Sequence, residues 1–323
     1  MTNKIKQNDI NPFKNTDSNK RYYTYDYFLR KTFGEKCAKI TLDAGFTCPN
    51  IDGRCGCGGC IYCSSRGSGD FSQSAQMPLA EQYERQISVM RTKWQTNKFI
   101  PYLQAHTNTY ASVDRLKDIY GQILKFPNVA GFNIATRADC LPIETVELLA
   151  EIAEKTYLTV ELGLQSIFDD TARFINRGHT FEDFSDGFCR LRQASDKIKI
   201  CVHLIDGLPG EDSERMLESA RVIGEMHPDQ IKFHMLHVLK GTALSEMYKK
   251  GEYIPLEMEE YAEIICRQLE VIPDDIVIGR ITGDGKSEDL LAPEWSRKKF
   301  VVINTIDKMM FSQDTWQGRL VKK

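Results

Sequence analysis

Five cysteines fall within sixteen residues: Cys48, Cys55, Cys57, Cys60 and Cys63. The segment runs Phe46-Thr47-Cys48-Pro49-Asn50-Ile51-Asp52-Gly53-Arg54-Cys55-Gly56-Cys57-Gly58-Gly59-Cys60-Ile61-Tyr62-Cys63. That density is too high for chance packing and points to thiolates converging on a metal centre. Cys60-x-x-Cys63 can present two sulfurs from one turn. Eleven residues separate Cys48 from Cys60, so the chain has to loop back, and Gly53, Gly56, Gly58 and Gly59 permit the positive-φ path that such a return needs. Three thiolates on a [4Fe–4S] cluster leave one iron open. An open iron can chelate the amino and carboxylate groups of S-adenosylmethionine. One electron then cleaves the sulfonium C–S bond, and the 5′-deoxyadenosyl radical takes hydrogen from an unactivated carbon. The cofactors supply that chemistry, and the protein orients and shields it.

Structural zinc is the main competing reading. Cys57, Cys60 and Cys63 with Cys55 or Cys48 could supply the four thiolates of a closed tetrahedral site. Zinc fingers usually combine two separated Cys-x-x-Cys pairs, and no distant second pair occurs here. A thioredoxin-like redox pair lacks its fold context. Cys37, Cys140, Cys189, Cys201 and Cys266 lie in or beside apolar patterns and read as buried, unreactive thiols.

Positioning such a centre requires a scaffold. Short apolar runs alternate with longer amphipathic ones. Strands are expected at Cys37–Leu42, Phe99–Gln104, Val129–Thr136, Tyr157–Leu162, Ile198–Ile205 and Gln230–Leu236. Helices are expected at Leu79–Gln95, Val113–Leu124, Ile143–Lys155, Phe181–Ala194, Glu211–Met226 and Leu256–Val271. Strands alternating with helices imply parallel pairing. The string fits an α/β fold, a partial (β/α)6 TIM-like barrel, although an open doubly wound sheet would give the same order. The expected division is an N-terminal extension (1–36), the partial barrel (37–272) and a C-terminal extension or cap (273–323), where the alternation breaks. That tail contains Gly283-Asp284-Gly285 and the two tryptophan motifs around Trp295 and Trp316.

In a barrel, function sits just beyond the C-terminal ends of the strands. The polar residues fall there: the cysteine loop, then Gln104, His106, Thr107 and Asn108, then Thr136, Arg137 and Asp139. Glu161, Gln165 and Ser166 follow, then His203, Asp206 and the Gly207-Leu208-Pro209-Gly210 turn, then His234 and His237. Strand residues three apart face opposite sides, so His234 and His237 on one metal would require a bend, and one of them is expected to line the pocket.

Composition narrows the class. The chain has 323 residues, 41% hydrophobic and 10% aromatic, enough for a real core. Its net charge is −3, so no global basic field attracts nucleic acid. The first forty residues differ, with nine basic against four acidic side chains and interleaved Tyr22, Tyr23, Tyr25, Tyr27, Phe28 and Phe33. That mixture suits phosphate contact with base stacking. It equally suits a solvated arm whose aromatics pack on the core. No secretory signal or membrane-length apolar run is present, so a cytoplasmic protein with reduced thiols is expected.

The sequence resembles the radical S-adenosylmethionine family of the YhcC/YtqA (MnmL-type) kind. The resemblance rests on Cys48-x11-Cys60-x2-Cys63 together with Ala44–Asn50, Tyr102–Tyr110, Thr136–Pro142, Glu161–Ser166, Asn176–Thr180 and His203–Glu211. It extends to the tryptophan motifs of the tail. It implies a [4Fe–4S] cluster on Cys48, Cys60 and Cys63, with S-adenosylmethionine as co-substrate. It further implies Tyr62 near the adenine, Thr107 and Asn108 near the methionine amino group, and Glu161, Gln165 and Arg177 at the ribose and methionine carboxylate. Arginine suits a carboxylate because its planar donors bind both oxygens. Arg177 as a surface ion pair and Glu161 satisfying buried backbone donors are the competing structural readings.

Cys55 and Cys57 depart from the family pattern and read as bystanders in the glycine-rich loop. The resemblance implies a tRNA wobble uridine as substrate, its 5-carboxymethylaminomethyl side chain being converted to 5-aminomethyl. It also implies a reductant protein of flavodoxin or ferredoxin type and a downstream methyltransferase. A radical enzyme acting on a small metabolite, and a non-catalytic iron–sulfur or zinc module, are the alternatives.

Overall fold

A computed structural model describes residues 13–67, 69, 72–283 and 288–322. Lys4, Lys6 and Lys323 of the basic extensions and Asp284-Gly285 of the tail motif lie outside the described residues. The chain opens with α1 (Tyr25–Phe33), started by Thr24, whose side chain accepts from the Tyr27 N–H, and stopped by Gly34 at φ 78°. It continues through β1 (Cys37–Leu42), α2 (Leu79–Lys93), β2 (Lys98–Leu103), α3 (Val113–Ile123), β3 (Gly131–Thr136), α4 (Ile143–Ala153) and β4 (Tyr157–Gln165). Next come α5 (Asp169–Phe174), α6 (Phe181–Ala194), β5 (Lys199–Asp206), α7 (Ser213–Met226) and β6 (Gln230–Met235). The remainder is β7 (Val238–Leu239), α8 (Ala243–Lys249), α9 (Met258–Val271), β8 (Val277–Arg280), β9 (Leu290–Ala292) and α10 (Lys299–Ser312).

Seven strands form one sheet in the order β1-β2-β3-β4-β5-β6-β8, every pairing parallel. The fold is an α/β parallel half-barrel, a partial TIM barrel. The six expected strands are all present. The seventh, β8, comes from the stretch beyond Pro273 that sequence reading set apart as tail. Its four residues, Val-Ile-Gly-Arg, are too short for periodicity to mark. β7 and β9 make a separate antiparallel pair.

The main core lies between the sheet and its helices. Ile40, Leu42, Phe99, Leu103, Phe132, Ile134, Leu158, Val160, Ile200, Val202, Ile231 and Phe233 are fully buried or nearly so. Each such side chain contributes about 1.5–3 kcal/mol on leaving water. The opposite face of the same strands lines the barrel interior and carries Lys39, Tyr102, Glu161, His203 and Lys232.

The N-terminal segment completes the wall beside β8. Thr24 bridges Ile278 in parallel, and the Ile278 N–H donates to the Tyr23 carbonyl at 2.8 Å. Tyr22 is buried in the main core, while Phe28, Leu29, Cys37, Ile100 and Val277 form a smaller cluster that Tyr23, Tyr25 and Phe33 cover. Of the two readings of this arm, the aromatics follow the packed one. Its cations are largely paired within the chain: Arg21 with Asp314, Arg30 with Asp17 and Asp26, Lys20 with Asp307. Among the described residues, no helix is long and apolar enough to cross a membrane.

Candidate active site

The cysteine loop leaves β1 and is tied down at both ends. The Thr107 N–H donates to the Thr47 carbonyl at 3.2 Å, holding the start of the loop beside the end of β2. The Gly59 N–H donates to the Asn50 carbonyl at 2.9 Å, closing the return, and Gly58 and Gly59 take φ of 80° and 76°, the left-handed region where glycine is favoured. Asn176, just after α5, donates from Nδ2 to the carbonyls of Gly59 at 2.7 Å and Cys57 at 3.1 Å. Asn50 answers by donating to the Asn176 carbonyl. The Cys63 N–H reaches the Cys60 carbonyl at 3.0 Å, so these two sulfurs do come from a single turn.

Cys48, Cys60 and Cys63 line one end of a cavity of about 760 Å³, near the upper end of the roughly 300–1,000 Å³ that small-molecule sites occupy. The Cys60 and Cys63 thiols are hydrogen-bonded to each other. That bond holds the Cys60 thiol below its ordinary value, with Arg177 and Arg137 adding to the effect against its burial. Cys55 and Cys57 are exposed and do not line the cavity; Cys55 Sγ accepts from Arg137 Nη2 at 3.5 Å.

The other expected contacts divide. Tyr62, Thr107, Gln165 and Arg177 line the cavity with the cysteines. Arg177 is 5% exposed, donates to the Gly163 carbonyl and leaves its Nε buried without a partner. It is therefore no surface ion pair. Gln165, at φ 77° on the bulge that ends β4, folds its amide over Gly163 beside Arg177.

Asn108 departs from expectation. Its Nδ2 donates to the carbonyls of Leu103, Ala105 and Ala135 at 2.9–3.1 Å, stapling the loop after β2 to β3, and the residue does not line the cavity. Its amide nitrogen is thereby committed to backbone.

Glu161 departs too. It lies mid-strand on the barrel floor. Oε1 accepts from Lys39 Nζ at 2.9 Å and Asn133 Nδ2 at 2.7 Å; Oε2 accepts from the Tyr102 hydroxyl at 2.7 Å, His203 Nε2 at 2.9 Å and Lys232 Nζ. A carboxylate has about four lone-pair sites, so protein donors already saturate it, and its partners are side chains rather than backbone. Burial acts to raise its pKa, but Lys232, Lys39 and His203 outweigh that and hold it well below the ordinary carboxylate value. Burial pulls His203 down to about 4 and Lys232 down to about 8. At neutral pH His203 is therefore uncharged and donates its Nε2–H to Glu161.

Sequence reading missed Lys39, Tyr102, Asn133 and Lys232, because each sits inside a strand rather than after one. A signal existed. Lys39 and Thr41, Tyr102 and Gln104, His203 and Ile205, and Lys232 and His234 recur at every second position, and all eight line the cavity. In a parallel strand whose other face is buried in apolar core, alternating polar residues mark a lumen. His234 and His237 both line the cavity, not one of them. β6 ends at Met235, so the strand alternation no longer governs His237.

The donor set fits a cubane cluster: three cysteine sulfurs at one end of a cavity, with two guanidinium groups close enough to offset thiolate charge. A parallel half-barrel carrying such a trio beyond β1 is the arrangement of a barrel enzyme whose cysteines would hold a cluster there. The chain belongs to the radical SAM superfamily, whose family model matches residues 53–223, while the Radical_SAM C-terminal domain model matches residues 228–312. It is closely related to YtqA of Bacillus subtilis (strain 168), 42% identical over 97% of both chains. It is also close to YhcC of Escherichia coli (strain K12), 33% identical over 87% of this chain and 90% of YhcC. A shorter match, 36% identical, joins 39% of this chain to 23% of the tRNA uridine(34) acetyltransferase of Methanocaldococcus jannaschii. Among solved structures, the Methanocaldococcus infernus Elp3 superimposes with a TM-score of 0.63 at 19% identity, over 87% of this chain and 64% of that one. The family implies a [4Fe–4S] cluster and S-adenosylmethionine.

Proposed function

We propose that this radical SAM enzyme modifies tRNA, converting a 5-carboxymethylaminomethyl-(2-thio)uridine at the wobble position to its 5-aminomethyl form. The observation that carries the reading is the cavity itself. It joins the three-cysteine end to a polar floor within one lumen, so a base side chain entering past the cysteines would have its carbon atoms between them and the floor. Recognition of RNA favours unstacked loop bases that can be inserted into such a pocket. The segment shared with a tRNA uridine(34) acetyltransferase supports the same substrate class.

In this reading Cys48, Cys60 and Cys63 hold the cluster, which when bound supplies the electron that cleaves S-adenosylmethionine. Arg177 and Gln165, meeting over Gly163, hold the methionine carboxylate and ribose; Thr107 holds the amino end; Tyr62, packed against Ile175, Leu208, Leu236 and their neighbours, covers the adenine and keeps water out. A flavodoxin- or ferredoxin-type protein delivers the electron, and a methyltransferase consumes the aminomethyl product. The buried aromatics and paired cations of the N-terminal segment leave RNA contact to other surfaces.

Anaerobically reconstituted protein, S-adenosylmethionine and dithionite, incubated with an anticodon stem-loop carrying the carboxymethylaminomethyl group, should yield the aminomethyl nucleoside by mass analysis. Cleavage of S-adenosylmethionine with an unchanged wobble nucleoside would remove the RNA substrate and favour a small metabolite.

A further inference from the structure

We propose that the barrel floor is a subsite for a carboxylate carried by the substrate, received by the ammonium groups of Lys39 and Lys232. The proposal rests on the reading that the cavity holds the substrate of a radical enzyme, and it names what the far end of that substrate must be.

Around Glu161, the described ammonium groups outnumber the described carboxylates. Lys39 and Lys232 both sit on Glu161, two cations against one anion. Lys36 and Asp26, which line the lower end, offset each other at 3.6 Å. His203 and His234 contribute no negative charge, being neutral or cationic at any pH.

The donors are also in surplus. Each ammonium has three N–H groups and uses one on Glu161. Both are held in place by aromatic faces: Lys39 lies 4.7 Å from the Tyr25 ring centroid and 5.0 Å from that of Tyr102, and Lys232 lies 5.1 Å from Tyr102. His234 packs against His203 with ring centroids 5.1 Å apart and planes tilted by 30°, and leaves its Nε2 buried without a partner. Lys232 and Lys39 share one carboxylate, and burial, with the Lys39 charge acting in the same sense against Glu161, depresses Lys232 to about 8. A substrate carboxylate would supply the missing charge and accept the remaining N–H groups.

A metal does not fit the same place. Glu161, Cys201 and His203 lie close enough to share one, but the Glu161 oxygens already carry both ammonium groups, and His203 Nε2 is directed at Glu161. A dication there would meet two positive neighbours.

The probe is sarcosine, which carries the –NH–CH2–COO− unit in free form, with sarcosinamide as its uncharged-acyl counterpart and inorganic phosphate as the alternative anion. Binding to the reconstituted full-length protein is measured by saturation-transfer NMR at millimolar concentration. Wild type should bind sarcosine about tenfold more tightly than sarcosinamide, as expected for a charge-assisted hydrogen bond. Lys232→Met should abolish the preference and Lys232→Arg should restore part of it. Should Lys232→Met fail to fold, Glu161→Gln serves instead, since removing the floor's anion should tighten sarcosine. Equal binding of acid and amide by wild type overturns the proposal, as does phosphate binding in preference to sarcosine. A sarcosine preference alongside an unmodified wobble oligonucleotide would sink the RNA assignment and leave the carboxylate subsite standing.

Discussion

Asp206 ends β5 with its carboxylate 2% exposed. Oδ1 accepts from Gln268 Nε2 at 2.7 Å, while Oδ2 is buried and has no partner. Burial, with the nearby Glu211 acting in the same sense against the Gln268 hydrogen bond, raises its pKa from 3.8 to about 7. The folded state therefore binds more protons than the unfolded state between pH 4 and 7. Stability carried by the neutral acid is full below pH 4, falls as pH rises through that window, and is flat above it. A shift of about 3 units at 1.36 kcal/mol each caps the loss at about 4 kcal/mol, of which about 2.5 kcal/mol falls between pH 5 and pH 8. Asp206→Asn keeps the acceptor for Gln268 and does not titrate. Its amide places donors where Oδ2 has no partner, which adds a constant penalty, so the readout is the slope and not the sign. Urea midpoints of wild type and variant at pH 5 and pH 8, converted through the common m-value, should diverge in the variant's favour by that amount as pH rises. Parallel curves would refute the burial argument for Asp206, and relative gain by the wild type would reverse it.

Gly187→Ala should destabilise the protein, because the new Cβ would lie 2.4 Å from the Ala138 carbonyl oxygen. Overpacking of about 1–3 kcal/mol should exceed the roughly 1 kcal/mol gained in helix propensity, and an unchanged melting temperature would contradict it. Alanine at Cys48, Cys60 or Cys63 should abolish iron–sulfur absorption after reconstitution, whereas Cys55→Ser and Cys57→Ser should retain it; loss with Cys55→Ser would revise the ligand set. Asn176→Ala removes both side-chain bonds to the cysteine loop. It should lower cluster occupancy at limiting iron while leaving the global fold intact by circular dichroism. Gln317→Ala should speed hydrogen exchange at the Ile278 amide, since Gln317 fastens both the Tyr23 backbone and the loop before β8.

The long, strongly periodic elements were legible in the sequence. β1 and α6 fall where the pattern puts them, and α7 differs only at its start, where Asp212 accepts from the Arg215 N–H as the cap and Ser213, two residues after Glu211, opens the helix. What escaped was short or depended on distant partners. β8 has four residues and is fixed by pairing with β6 and with Tyr23–Thr24, neither of which local pattern can reveal. The cysteine trio was visible because its spacing is itself the signal. Glu161 was noticed for its motif, yet five partners on β1, β2, β3, β5 and β6 decide its role. Asn108 illustrates the same limit: a polar residue after a strand can turn to a binding site or to backbone carbonyls, and only the path of the loop chooses.

The closure beside β8 has a consequence for biosynthesis. Tyr23 and Thr24, among the first described residues to be made, dock on a strand that emerges some 250 residues later, and Gln317 near the other terminus locks the joint. A chain growing from the ribosome thus exposes an unsealed lumen for most of its synthesis. The joint between β8 and the N-terminal segment can therefore form only after almost the whole described chain has been made.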